Sequence, residues 1–151
     1  MGTMQDMGLQ VGPAGPGQTF YPSLMFTNAN GNPFSVLTVR LGLVVNAVDI
    51  SHSPPVVTPV SSPTYDRQWG NLTLLADGTI LFSGGSGVAN QLTNVAYQTE
   101  LFNPATGTWT LDATAAIPRL YHSATLLLPD GSVRRYSDRT GRERRDDQCR
   151  R

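Results

Sequence analysis

Three turn signals recur at near-regular intervals along the chain, and their spacing limits the fold more than any other feature. Asn30-Gly31, Asp77-Gly78 and Asp130-Gly131 are separated by steps of 47 and 53 residues. Nine positions before each turn stands a residue that opens an apolar run: Tyr21, Gln68 and Tyr121. Asn-Gly and Asp-Gly between such runs are hairpin turns, because these residues tolerate left-handed backbone. A hairpin repeated about every 50 residues describes a row of small stacked sheets.

The middle unit shows the repeat in full. Asn71 to Ala76 reads as a strand, Asp77-Gly78 as the turn, and Thr79 to Ser83 as the returning strand, closed by Gly84-Gly85. Paired glycines there let neighbouring backbones approach where a side chain would clash. Gln98 to Phe102 is a third strand, Asn103 to Gly107 a turn, and Thr108-Trp109-Thr110 a short outer strand whose indole covers the sheet. With Gly 15, Pro 11 and 39% hydrophobic residues, the composition suits a turn-rich chain. No long stretch carries a helical repeat. The expected class is therefore all-β, a partial kelch-type β-propeller of about two to three blades.

Residues 1–19, rich in Gly, Pro, Gln and Met, read as a flexible N-terminal segment without the apolar run of a signal peptide. Residues 20–50 read as an incomplete blade, since Leu43-Val44-Val45 is followed by Asn46 rather than Gly-Gly. Residues 51–65, with Pro54-Pro55, Pro59 and Pro63, read as a link. A complete blade is expected over 66–112, and the start of the next over 113–133. Patterning then stops in mid-hairpin, at Arg134-Arg135. The tail 134–151 is Arg-rich and lysine-free, which reads as out-of-frame translation of a GC-rich coding sequence, irregular and without selected structure.

Charge excludes some functions. The tail carries eight arginines and four acids, 8 − 4 = +4, and residues 1–133 are 3 − 7 = −4. The body is mildly acidic and offers no basic surface for nucleic acid. The longest apolar stretch, Val36 to Ile50, is broken by Arg40, Asn46 and Asp49 and is too short for a membrane span. The lone cysteine, Cys149, excludes an intrachain disulfide.

The most specific motif is Arg119-Leu120-Tyr121-His122-Ser123, running into Ala124-Thr125-Leu126-Leu127-Leu128-Pro129-Asp130-Gly131. Adjacent side chains on a strand point to opposite faces, so Tyr121 and His122 meet one ligand only where the backbone bends. Pro118 and the late start of alternation place such a bend at the strand's entry. Together with "GNLTLLADGTILFSGG" and "TELFNPATGTWT", this motif resembles the late blades of galactose oxidase-like copper radical oxidases, a family that includes the glyoxal oxidases. The resemblance is good over 65–133 and loose over 20–50.

The resemblance implies a copper site on the propeller axis, held by two tyrosines and two histidines. Tyr121 then corresponds to the axial tyrosine and His122 to an equatorial histidine. Imidazole suits copper, and a weakly held phenolate can take the hydroxyl proton of an alcohol, which would make Tyr121 a catalytic base. It also implies a small alcohol, aldehyde or carbohydrate substrate, oxygen as oxidant, hydrogen peroxide as product and a secreted or extracellular location. The chain departs from the family pattern. No cysteine precedes residue 149 to form the thioether-linked tyrosine, and His52, the only other histidine, matches no ligand.

The expectation is a fragment of such an oxidase, inactive alone. The competing reading is a non-catalytic kelch segment that binds a protein or glycan, and a third is a gene-model remnant.

Other residues read structurally. Asn71-Leu72-Thr73 fits an N-glycosylation pattern but falls in a strand, so chance is the favoured reading. Trp109 is expected in the core, Arg119 in a surface ion pair or at a substrate oxygen, and Trp69 near the axial face, where stacking on substrate is open to it. Asp77 and Asp130 lie in turns a blade apart and are no acid–base pair.

Overall fold

The computed structural model describes residues 21–40, 42–137 and 147–149. Its regular structure is entirely strand, in three antiparallel sheets. The first holds β1 (Ser23–Phe26), β2 (Ser35–Arg40), β3 (Val44–Asp49) and β4 (Val56–Pro59). The second holds β5 (Asn71–Leu74), β6 (Ile80–Ser83), β7 (Gln98–Asn103) and β8 (Thr108–Thr114). The third runs β9 (Ser123–Leu127), β10 (Val133–Ser137) and β11 (Asp147–Cys149). The expected flexible segment 1–19 lies outside the described residues.

All three repeat hairpins close in the same way. Gly31, Gly78 and Gly131 have φ of 77°, 84° and 81°. Their amides donate to the carbonyls of Asn28, Leu75 and Leu128 at 2.9, 3.0 and 3.0 Å. The amides of those three residues bond in turn to the carbonyls of Asn32, Thr79 and Ser132 at 3.0, 2.8 and 2.8 Å. Asp77 and Asp130 each accept from the following turn residue, Thr79 or Ser132, through its hydroxyl at 2.6 Å and its amide at 3.0 Å. Such carboxylate caps explain why the position holds Asp.

The first strands of the sheets, β1, β5 and β9, neighbour one another, and the remaining strands step away from them. This is the inner edge of a partial propeller. Between the first and second sheets lie Phe26, Leu37, Val39 and Val45 against Ile80, Phe82 and Phe102. Trp109 packs on Phe82 and Phe102, with ring centroids 5.9 and 5.1 Å apart. Its indole therefore belongs to this core, and its Nε1 donates to the Ser61 carbonyl at 2.8 Å. Leu75, Leu81 and Val133 form a smaller core between the second and third sheets.

Two stretches differ from expectation. The proline-rich segment 51–65, expected as a link, contains β4, which completes a four-stranded first sheet. Proline is tolerated because β4 is an edge strand, bonded only to β3. At the other end, the loss of apolar pattern at Arg134 does not end the hairpin. Val133 to Ser137 pair with β9 from Leu127 to Ser123, and Asp147–Cys149 pair with β10. Val133 and Arg135 face the second sheet and are buried, while Tyr136 is exposed. An arginine stem substitutes for an apolar side chain at such a position. The rest of the tail, 138–146 and 150–151, lies outside the described residues.

Candidate functional site

Tyr121 and His122 occupy a tight turn at the head of β9, closed by the Ser123 amide on the Leu120 carbonyl at 3.1 Å. The same turn stands at the head of β5, where the Gly70 amide donates to the Arg67 carbonyl at 3.0 Å around Gln68 and Trp69. His122 and Trp69, third in each turn, have φ of 57° and 62°. Left-handed backbone is uncommon outside glycine, and for a bulky ring it is an outlier. Such strain concentrates where side-chain direction matters. The first sheet has Pro22 at the corresponding position, and its ring fixes φ negative.

Gly84 and Gly85 hold the two turns together. The Gly85 amide donates to the Arg119 carbonyl at 2.7 Å. A Cβ on Gly84 would meet that carbonyl at 2.8 Å, and one on Gly85 would meet the Gln68 carbonyl at 2.8 Å. Both glycines have positive φ, 68° and 80°. The close approach expected of the pair is thus between the entry segments of consecutive sheets.

As a result three rings gather at one mouth. Trp69 meets Tyr121 edge to face with centroids 4.5 Å apart, and Tyr121 stacks on His122 at 3.6 Å and 28°. Tyr121 is 42% exposed and His122 is exposed too. Asn71, at the start of β5, donates to the Ser123 hydroxyl at 2.9 Å. Thr73 donates to the Thr125 carbonyl at 3.3 Å, and Ser83 and Thr125 hydroxyls lie 2.9 Å apart. These bonds fix β9 against the second sheet, and they commit the Asn71 amide to a structural contact.

Next to the entry turn of β5 lies a buried pair that the sequence did not reveal. Arg67 and Glu100 are both fully buried and joined from Nη2 and Nε to Oε2 at 2.9 and 3.1 Å. Arg67 also donates to the carbonyls of Gly84 at 3.1 Å, Ala96 at 3.3 Å and Gln98. Glu100 accepts from the Thr64 amide through Oε1 and the Tyr65 amide at 3.4 Å. Burial draws the Arg67 guanidinium below its usual pKa, and the Glu100 carboxylate opposes that. The pair ties the entry segment of β5 to β7 and to Gly84. The available signal was a single acid inside the strand run Thr99-Glu100-Leu101-Phe102, with no partner identifiable at any fixed spacing.

Arg119 is buried, at 8% exposure, so a surface ion pair is not its setting. His52 lies in the β3–β4 connection, at the opposite end of the first sheet from the entry turns. It contacts Asp49 at 3.3 Å and Ser51 at 3.2 Å. Among the described residues no three His, Cys, Asp or Glu side chains gather to hold a metal. Tyr121 and His122 are donors of a kind copper takes, but two donors do not make a copper site. Copper chemistry does not fit this set by itself.

No protein-family model matches the chain, and no characterised protein matches it in sequence. Among solved structures it is similar to a novel fungal alcohol oxidase of the AA5 family in complex with copper. The TM-score is 0.67 at 23% identity, over 78% of this chain and 27% of that one. It is also similar to YjhT, with a TM-score of 0.56 at 20% identity, over 68% of this chain and 30% of the other. The chain therefore spans less than a third of either structure. At these identities the likeness is one of fold, a section of a β-propeller.

Proposed function

We propose that the chain is a section of a galactose oxidase-like copper radical oxidase, with Tyr121 and His122 as two of the donors that hold the metal. The observation that carries this reading is the exposed Tyr121–His122 stack on a left-handed turn at the head of an inner strand. Likeness of fold to a copper-bound fungal alcohol oxidase supports it. The activity inferred for the larger protein is oxidation of a primary alcohol or aldehyde, free or on a carbohydrate, with oxygen reduced to peroxide outside the cell. In that setting the Tyr121 phenolate oxygen would take the hydroxyl proton of the substrate, becoming the phenol, and the Trp69 edge would bound the substrate's apolar side. The remaining donors come from outside the described residues, and the 151-residue chain alone is expected to make no peroxide.

Cu(II) added to the chain tests the assignment. Ring proton signals of Tyr121 and His122 should broaden first, and His122→Ala should abolish that effect while His52→Ala leaves it intact. Broadening centred on His52, or none at all, overturns the proposal.

The second reading is a non-catalytic propeller segment that recognises a glycan or protein through Trp69 and Tyr121. That no three His, Cys, Asp or Glu side chains gather among the described residues favours it. Glycan-induced quenching of Trp69 fluorescence without a copper response would select it.

A further inference from the structure

Arg67 begins the entry turn of β5 and is held through both its head and its backbone. Its five N–H donors are all used: Nε and Nη2 on Glu100, Nη1 on the carbonyls of Gly84 and Ala96, and Nη2 on that of Gln98. The guanidinium also lies over the Tyr65 and Phe82 rings, its Cζ 5.4 and 5.2 Å from their centroids. Glu100 is committed as well, to Arg67 and to the amides of Thr64 and Tyr65. A planar fork saturated in this way has one orientation, which the flexible ammonium of lysine would not reproduce.

The backbone of the same residue carries the turn. Its carbonyl accepts from the Gly70 amide at 3.0 Å, closing Gln68 and Trp69 into the left-handed corner. Gly85 rests on that backbone, since a Cβ there would come within 2.9 Å of the Arg67 Cα and carbonyl carbon. Arg67 therefore holds Gly84 with its head and supports Gly85 from below. Gly85 in turn donates to the Arg119 carbonyl at 2.7 Å, two residues before Tyr121. A continuous set of contacts runs from the buried pair, through the two glycines, to both turns that bring Trp69 against Tyr121.

We infer that Arg67 is a positioning residue for the ring mouth: through Gly84 and Gly85 it sets the spacing of the two entry turns, and so where Tyr121 and His122 present their donor atoms. Packed apolar side chains often support a fold as well as a buried ion pair does. They cannot bond the carbonyls of Gly84, Ala96 and Gln98, so what the pair adds is placement. A site is only as well ordered as the groups that support it. The consequence for copper rests on the reading of Tyr121 and His122 as metal donors, whereas the consequence for the rings does not.

The double variant Arg67→Met, Glu100→Leu of the 151-residue chain tests this, because it removes the grip without stranding a charge. It should keep the β-type circular dichroism spectrum and lose most of the Trp69–Tyr121 ring-current shift, read by NMR without metal. The Cu(II) concentration that half-broadens the His122 ring signals should rise about threefold or more. Arg67→Lys, which keeps the charge and loses the fork, should move both readouts in the same direction. Leu37→Ala opens a cavity in the first sheet and is the control for lost stability alone, with both readouts unmoved. A parent chain silent to copper would defeat the metal reading and leave the ring shift to decide the role of Arg67. An unchanged ring shift in a folded Arg67 variant, an equal change in Leu37→Ala, or loss of the fold in both Arg67 variants would overturn the inference.

Discussion

Trp69 and His122 hold the same place in successive entry turns, and both keep left-handed backbone, with φ of 62° and 57°. Neither residue is chosen by the turn, which glycine would satisfy without strain. The rings are therefore retained against local preference, and each side chain is aimed at the mouth it shares with Tyr121. Replacing His122 by glycine should give a more stable protein than replacing it by alanine, by about 1 kcal/mol. Urea midpoints of the two variants measure the difference. Equal midpoints would mean the turn is not left-handed in solution.

The glycine pair makes a larger prediction. Gly84→Ala drives a methyl group against the Arg119 carbonyl, and Gly85→Ala drives one against the Gln68 carbonyl, each at 2.8 Å. Both obstacles are backbone and cannot swing aside. Each substitution should cost about 2–3 kcal/mol and part the two entry turns. Loss of the Trp69–Tyr121 ring-current shift, measured by NMR, should accompany the loss of stability. A stable Gly84→Ala variant with unchanged ring shifts would contradict the geometry.

Removing one member of the buried ion pair should be severe. Glu100→Leu leaves the Arg67 guanidinium at 0% exposure without its carboxylate, a change that costs about 3–5 kcal/mol. The double variant Arg67→Met, Glu100→Leu should be less damaged than the sum of the single ones, because neither charge is then stranded. Denaturation of all four proteins gives the coupling. Strict additivity would show that the pair does not act as a unit.

What could be read from the sequence depended on how local the cause was. The three hairpins were legible because Asn-Gly and Asp-Gly specify their own turn, and the structure repeats the same bonds at each. Gly84-Gly85 was legible as a close approach, although not which backbones it admits. The strand at Val56–Pro59 was hidden by its prolines, which an edge strand accommodates and a central one would not. Val133 to Ser137 was hidden by arginine, whose charge dominates pattern reading while its stem packs as hydrocarbon. Arg67 and Glu100 meet across 33 residues, and no spacing rule joins them. Tyr121 and His122 were singled out through their motif and stand together at the strand head.

Asp49 should contribute to the acid response. The Ser51 hydroxyl and amide, at 2.6 and 2.9 Å, hold its carboxyl below the usual carboxylate pKa, and Asn32 at 2.9 Å and His52 add to the effect. A carboxylate with lowered folded pKa stabilises above its unfolded value of about 4, and that contribution fades as pH falls through the folded value. Asp49→Asn should therefore flatten the decline in thermal midpoint between about pH 4 and pH 2. The carboxyl carbon of Asp49, followed by NMR, should titrate below the ordinary aspartate range. A midpoint curve unchanged by the substitution would remove Asp49 from the acid response.

Alkaline behaviour should trace to Tyr21, whose hydroxyl donates to Asp66 Oδ1 at 2.7 Å between the first and second sheets. Burial, and then the Asp66 carboxylate as bond acceptor and neighbouring charge, push the phenol well above its ordinary range. The neutral phenol is the form that the fold favours. Its contribution is complete below the unfolded pKa of about 10 and is lost as pH rises towards the folded value. Ultraviolet titration should then show a phenol that ionises only above the ordinary tyrosine range. Asp66→Asn should bring the Tyr21 phenol back towards its ordinary range and flatten the loss of stability above about pH 10. If Tyr21→Phe leaves both the titration and the alkaline unfolding midpoint unchanged, the Tyr21–Asp66 bond is not what joins these sheets.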